Sequence, residues 1–172
     1  LDIKLDGVVS NYFEWLDAGK YNVSKDMDTM HRASGQPIHS VFFGFDIDNL
    51  FIRIDFDKDL LSQYMEKGKL VITFIQPREL QIHTSVFMDK PLRFTIKNKN
   101  YKYEGKDFYS ISFGKIMELS CAFAVLDFFP GIDVEFFIEL MKDNETIQRI
   151  PLRTVFCFSV PSKDFERMMW HV

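Results

Sequence analysis

The stretch from Ser40 to Phe56, SVFFGFDIDNLFIRIDF, constrains the fold more than any other part of the chain. Two apolar runs flank Asp46-Ile47-Asp48-Asn49, where Asp and Asn readily take the backbone angles of a tight turn. In the second run Leu50, Ile52, Ile54 and Phe56 fall on one side, and Phe51, Arg53 and Asp55 on the other. A period of two marks a strand with one face in a core. The segment predicts a β-hairpin.

Further runs of this kind follow. Leu70 to Ile75 stops before Pro77. Over 79–87, Leu80, Ile82 and Val86 alternate with Gln81, His83 and Ser85. Over 92–97, Leu92, Phe94 and Ile96 alternate with Arg93, Thr95 and Lys97, and Asn98 to Asn100 make a turn. Tyr101 to Glu104 and Phe108 to Phe113 are shorter candidates. Met117, Leu119, Cys121 and Phe123 share a face, as do Val134, Phe136, Ile138 and Leu140 opposite Glu135 and Glu139. The last run is Thr154 to Val160, closed by Pro161. Helical signals are confined to a short helical or extended piece over 11–16 and a turn over 59–67, with Asp59 near its start and Gly68 at its stop. Ile3 and Leu5 suit the start of a strand. The rest of 1–39 reads as irregular, with a polar surface loop over 22–37. Short strands joined by turns predict an all-β, antiparallel sandwich in a single domain, 1–172, with at most one or two helical turns. Nineteen Phe suit sheets that pack face to face.

The net charge is −4 and its charges are interspersed. Without a basic block, nucleic acid and anionic membranes are not expected partners. No run approaches the roughly 20 apolar residues of a membrane-spanning helix. Because the chain starts at Leu1 without an initiator Met, it is expected to be an excised piece of a longer polypeptide. Cys121 and Cys157 both lie in strand-like runs. They read as buried, reduced thiols, with a disulfide between them as the alternative.

Catalytic signatures are mostly absent. There is no G-x-S-x-G elbow, H-E-x-x-H, C-x-x-C or Gly-rich phosphate loop. A glycosidase needs two carboxylates across one bond, but 25 acidic residues permit such a pair by chance, so the sequence does not single one out. Asp46, Asp48, Asn49, Asp55 and Asp57 form an oxygen-rich set of the kind calcium favours, and equally one of turn formers and strand ends. No His pair has zinc spacing. His31, beside Arg32, is a loop hydrogen-bonding residue or a polar contact for a ligand. Trp15 and Tyr21 flank the early loop and offer flat faces for a sugar ring. The alternative for Trp15 is to plug one end of the sandwich. Trp170 is expected to pin the C-terminal tail.

Three segments carry a resemblance. Leu5-Asp6-Gly7-Val8-Val9-Ser10 leading to Trp15, the hairpin Phe43 to Arg53, and Met117-Glu118-Leu119-Ser120-Cys121-Ala122-Phe123 through Leu126, Pro130 and Gly131 resemble, in order, family 9 carbohydrate-binding modules and their DOMON-like relatives. In that group an opening "DG" and Trp, a "D-x-x-N/D-L-Y-I-x" hairpin and an "E-x-x-I-P-x-x-x-L…G" strand recur on an immunoglobulin-like β-sandwich. This chain departs from the pattern at Cys121-Ala122-Phe123, where the group has an Ile-Pro step. Over nearly its whole length the chain is also similar to the C-terminal β-domain of bacterial glycoside hydrolase family 57 proteins. That likeness rests on Phe13-Glu14-Trp15-Leu16-Asp17-Ala18-Gly19, Met30-His31-Arg32-Ala33, Arg149-Ile150-Pro151 and Val160-Pro161-Ser162-Lys163-Asp164-Phe165-Glu166 through Trp170.

The resemblance implies a non-catalytic accessory domain of an α-glucan-acting, amylase-like enzyme. The catalytic carboxylates would sit in an upstream domain, the partners would be an α-glucan or oligosaccharide and that domain, and the setting would be cytoplasmic. On this reading the chain needs no cofactor, although calcium near Asp46, Asp48 and Asp55 would be compatible with it. Trp15 and Tyr21 would stack, while His31, Arg32 and Asp46 bond hydroxyls. The alternative is a structural domain that stabilises or oligomerises the parent enzyme. A haem-binding role, which some DOMON-like sandwiches have, would call on Met30, Met65, His31 and His83; adjacent Met30 and His31 are poorly placed to grip opposite faces of one iron.

Overall fold

The computed structural model describes residues 3–9, 12–23, 35–64, 67–85, 94–97, 102–103 and 109–162. Two antiparallel sheets pack as a sandwich. The first contains β1 (Gly19–Asn22), β2 (Ile38–Phe45), β3 (Asn49–Phe56), β8 (Tyr109–Phe113) and β9 (Ile116–Ala122), in the order β1-β2-β3-β9-β8. The second contains β4 (Gly68–Gln76), β5 (Leu80–Ser85), β6 (Phe94–Lys97), β7 (Lys102–Tyr103), β10 (Asp133–Lys142) and β11 (Glu145–Ile150), in the order β11-β10-β4-β5-β6-β7. The start of β10 also pairs with β12 (Phe156–Ser159). The strands expected from alternation after residue 39 are present where the residues are described, but Ile3 and Leu5 do not start one: residues 3–9 are irregular, because their apolar side chains cover a sheet face instead of pairing at an edge.

The alternation becomes burial directly. Leu50, Ile52 and Ile54 of β3 and Val134, Phe136, Ile138 and Leu140 of β10 are buried in one core. Phe136 lies at its centre. Its ring meets Phe43 of the opposite sheet edge-on, with centroids 5.5 Å apart at 88°, and also meets Phe74 at 5.6 Å and Phe156 at 5.1 Å. Each such buried ring contributes roughly 2–3 kcal/mol through area alone. At one margin Gln148 of β11 ties the sheets together: its Oε1 accepts from Ile38 N at 3.0 Å and its Nε2 donates to Ile38 O at 2.9 Å.

The structure adds elements and corrects details. Within 1–39, Tyr12–Trp15 forms a single 3-10 turn and Gly19–Asn22 is strand β1, pairing with β2. Helix α1 (Lys58–Ser62) has Asp59 in its first turn, as expected, but ends well before Gly68, and its cap is Asp57. The Asp57 carboxylate accepts from Asp59 N and Leu60 N at 2.9 and 3.0 Å, while Gly68 opens β4. Helix α2 (Phe123–Leu126) breaks the run after β9. Both cysteines are free. Cys121 is buried as expected, but Cys157 is exposed, because the flanking Phe156 and Phe158 take the inward positions of β12. Among the described residues no helix is long and apolar enough to cross a membrane.

Candidate functional site

The outer face of the first sheet carries Phe42 of β2, Phe51 and Arg53 of β3, and Glu118 of β9. Apolar side chains on that face need a cover, and the N-terminal segment supplies it. Trp15, Phe42 and Phe51 form a second, smaller core, with Ile3, Leu5 and Ala18 packed against it. The Trp15 ring meets Phe42 edge-on at 6.3 Å.

Glu118 anchors this cover. It is 0 % exposed. Its Oε2 accepts from the backbone N–H groups of Asp6 at 3.1 Å and Gly7 at 2.9 Å, and its Oε1 accepts from Trp15 Nε1 at 3.2 Å. Gly7 makes the approach possible. Its φ is +76°, and a Cβ there would lie 2.8 Å from Gly114 N. Its carbonyl in turn accepts from Lys115 N at 2.8 Å and Ile116 N at 3.2 Å. Glu14, also buried, accepts from Lys4 N at 2.7 Å.

Electrostatics follow from this burial. Desolvation is the largest effect on Glu118 and raises its pKa above the ordinary 4.5. The hydrogen bonds from Gly7, Trp15 and Asp6 pull it back, and the charge of Glu14 adds a smaller upward push. Arg53 pairs in two-pronged fashion with Asp55, at 2.7 and 3.0 Å, and lies 4.5 Å over the Phe42 ring.

The structure does not gather the residues picked out by sequence. Trp15 is only 5 % exposed, its indole N–H is given to Glu118, and it lies on a sheet face, not at a sandwich end. Tyr21 meets Phe156 edge-on at 5.5 Å and packs against the main core. Asp46 holds the hairpin turn: its Oδ1 accepts from Asp48 N at 2.8 Å and from Asn49 N at 2.6 Å. Asp55 lies at the opposite end of β3 from Asp46 and Asp48, seven residues from Asp48 at about 3.3 Å each. Among the described residues no group of three or more His, Cys, Asp or Glu is placed to hold a metal ion. His31, Arg32, Met30, Met65 and Trp170 lie outside the described residues. His83 is on β5, with its Nε2 3.0 Å from Gln81 Oε1.

Two residues that sequence reasoning did not select as site residues stand out. Glu118 is a lone acid in the otherwise strand-like run Met117 to Phe123, an outward position that has to be either solvated or bonded. Phe129 sits in a turn, where no periodicity predicts burial, and it is exposed. No protein-family model matches the chain, and no curated protein matches it.

Proposed function

We propose that the chain is a non-catalytic, carbohydrate-binding accessory β-sandwich of an α-glucan-acting glycoside hydrolase similar to family 57, with the catalytic carboxylates elsewhere in the gene product. One observation carries this reading. The three segments that resemble family 9 modules lie more than a hundred residues apart at their extremes, yet they meet in one cluster: Asp6, Gly7 and Trp15 from the first, Phe51 from the second and Glu118 from the third. Short motifs matched by chance have no physical reason to touch. Here each holds another in place, which supports reading them as one inherited unit. In this role the buried carboxylate builds the fold and does not act on substrate. Calorimetric titration with maltoheptaose tests the proposal. Binding without hydrolysis is expected; turnover by this chain alone, or no heat with any glucan, would sink it.

A second reading has its own support. Trp15 is buried, and the covering segment turns Val9 and Leu16 outward, both exposed. An apolar outer surface suits packing against another part of the parent enzyme, which the domain would then stabilise or oligomerise. Deleting the domain from the parent would lower its unfolding temperature or change its oligomeric state. An unchanged parent would discard this reading.

A further inference from the structure

A sugar-binding sandwich needs an accessible ring, and Trp15 does not supply one. Among the aromatic side chains whose burial is described, Phe129 alone is exposed, at 62 %. It is carried by the turn between α2 and β10, and that turn is tied down on both sides. Phe128 N donates to Phe123 O at 2.9 Å, Ile132 N to Phe129 O at 3.1 Å, and Gly131 N to Val160 O at 2.8 Å. The neighbouring Phe128 points inward, its ring 5.1 Å from Phe74. The backbone that presents Phe129 is therefore fixed before any ligand arrives, so stacking on the ring orders little else.

Polar groups of both kinds are held on the same turn. Arg78, from the turn between β4 and β5, donates to Leu126 O at 2.8 Å and to Asp127 Oδ2 at 2.6 Å. The hairpin tip closes the same end, with Phe123 N donating to Asp48 O at 2.8 Å and Ile47 exposed.

We infer that this end of the sandwich is an oligosaccharide subsite, with Phe129 as the stacking platform and Arg78 and Asp127 as its hydrogen-bonding flank. The inference rests on the carbohydrate reading above and gives it a location. The axial C–H face of a hexose is apolar and flat enough to lie on a phenyl ring, while its hydroxyls need donors and acceptors at the rim. Arg78 and Asp127 provide both, and because they neutralise one another the flank favours a neutral polyol over an anion.

The test titrates the intact chain with maltoheptaose and, separately, cellohexaose, by calorimetry and by amide chemical-shift mapping. Phe129→Ala is expected to weaken binding about tenfold or more, and Phe129→Trp to retain it. Both variants should unfold at the wild-type temperature, because the ring is exposed. The shifts should centre on Asp48, Arg78, Asp127 and Gly131. If a glucan binds, but Phe129→Ala binds it like wild type and the shifts fall elsewhere, the subsite is overturned and the carbohydrate reading stands. If neither sugar gives heat or shifts, the carbohydrate reading fails and takes the subsite with it.

Discussion

Arg53 and Glu118 are direct partners across the β3–β9 ladder, yet each takes its strong bonds elsewhere. The guanidinium turns along its own strand to Asp55, while the carboxylate turns up to the N-terminal segment. Opposite charges in register would ordinarily be expected to join. Here the acid is hosted by neutral N–H groups instead, so its burial is not offset by a cation. The arrangement costs electrostatic stability at Glu118 but makes one side chain the tie for Asp6, Gly7 and Trp15 together.

A double-mutant cycle on Trp15 and Glu118 measures that tie. Trp15→Phe keeps a ring but removes the N–H donor to Glu118 Oε1, at an expected cost of about 1–2 kcal/mol. Glu118→Gln keeps its one carbonyl oxygen on the two backbone N–H groups only by setting its NH₂ against the indole N–H, so it loses the Trp15 bond and is expected to cost about 2–3 kcal/mol. In urea unfolding the double variant should lose less than the sum of the two, because the Trp15 contact can be lost only once. Strict additivity would mean that the indole bond contributes nothing.

The raised pKa of Glu118 gives stability a definite pH dependence. A group that binds its proton more tightly folded than unfolded contributes stability that is fully present below its unfolded value, here near 4.5, and lost as the pH rises through its folded value. The difference in unfolding free energy between wild type and Glu118→Gln should therefore shift against the wild type as the pH climbs from about 4.5, and level off above the folded pKa. A difference that instead moved in favour of the wild type with rising pH would show that the hydrogen bonds outweigh desolvation.

The two thiols should be chemically distinct. Burial pushes Cys121 up to about 12, so at about pH 8 almost none of it is thiolate and reagent cannot reach it. Cys157 is exposed. Ellman titration of the folded chain should find one fast thiol, a second only in denaturant, and no fast thiol in Cys157→Ser. Two fast equivalents in the native protein would contradict the placement of Cys121.

The sandwich was legible because runs such as Leu50 to Phe56 and Val134 to Leu140 alternate without interruption, and burial of one face requires that alternation. The misses have physical causes. Strand β11 went unseen because Gln148, a polar residue, occupies an inward position, made tolerable by both its bonds to Ile38. Helix α2 was hidden because Phe123 continues the face of Met117, Leu119 and Cys121 before the chain turns at Asp127, whose φ is +51°. The exposure of Cys157 could have been read from its two Phe neighbours. The clustering around Glu118 could not, because hydrogen bonds spanning 103 to 112 residues leave no local pattern.

Gln148 supplies the sharpest test of how the two sheets are joined. Its amide satisfies both backbone groups of Ile38, a buried residue at the start of β2, much as a neighbouring strand would. Gln148→Leu is apolar and similar in size, and by sequence pattern alone it would improve the inward face of β11. The structure predicts the reverse. The N–H and C=O of Ile38 would be left buried without partners, each at about 1–3 kcal/mol, for a total loss of about 2–4 kcal/mol after the gain from burying Leu. Gln148→Glu should cost more at neutral pH, because an ionised carboxylate cannot donate to Ile38 O. Equilibrium unfolding in urea checks both. A Gln148→Leu variant as stable as wild type would show that the sheets do not depend on this amide.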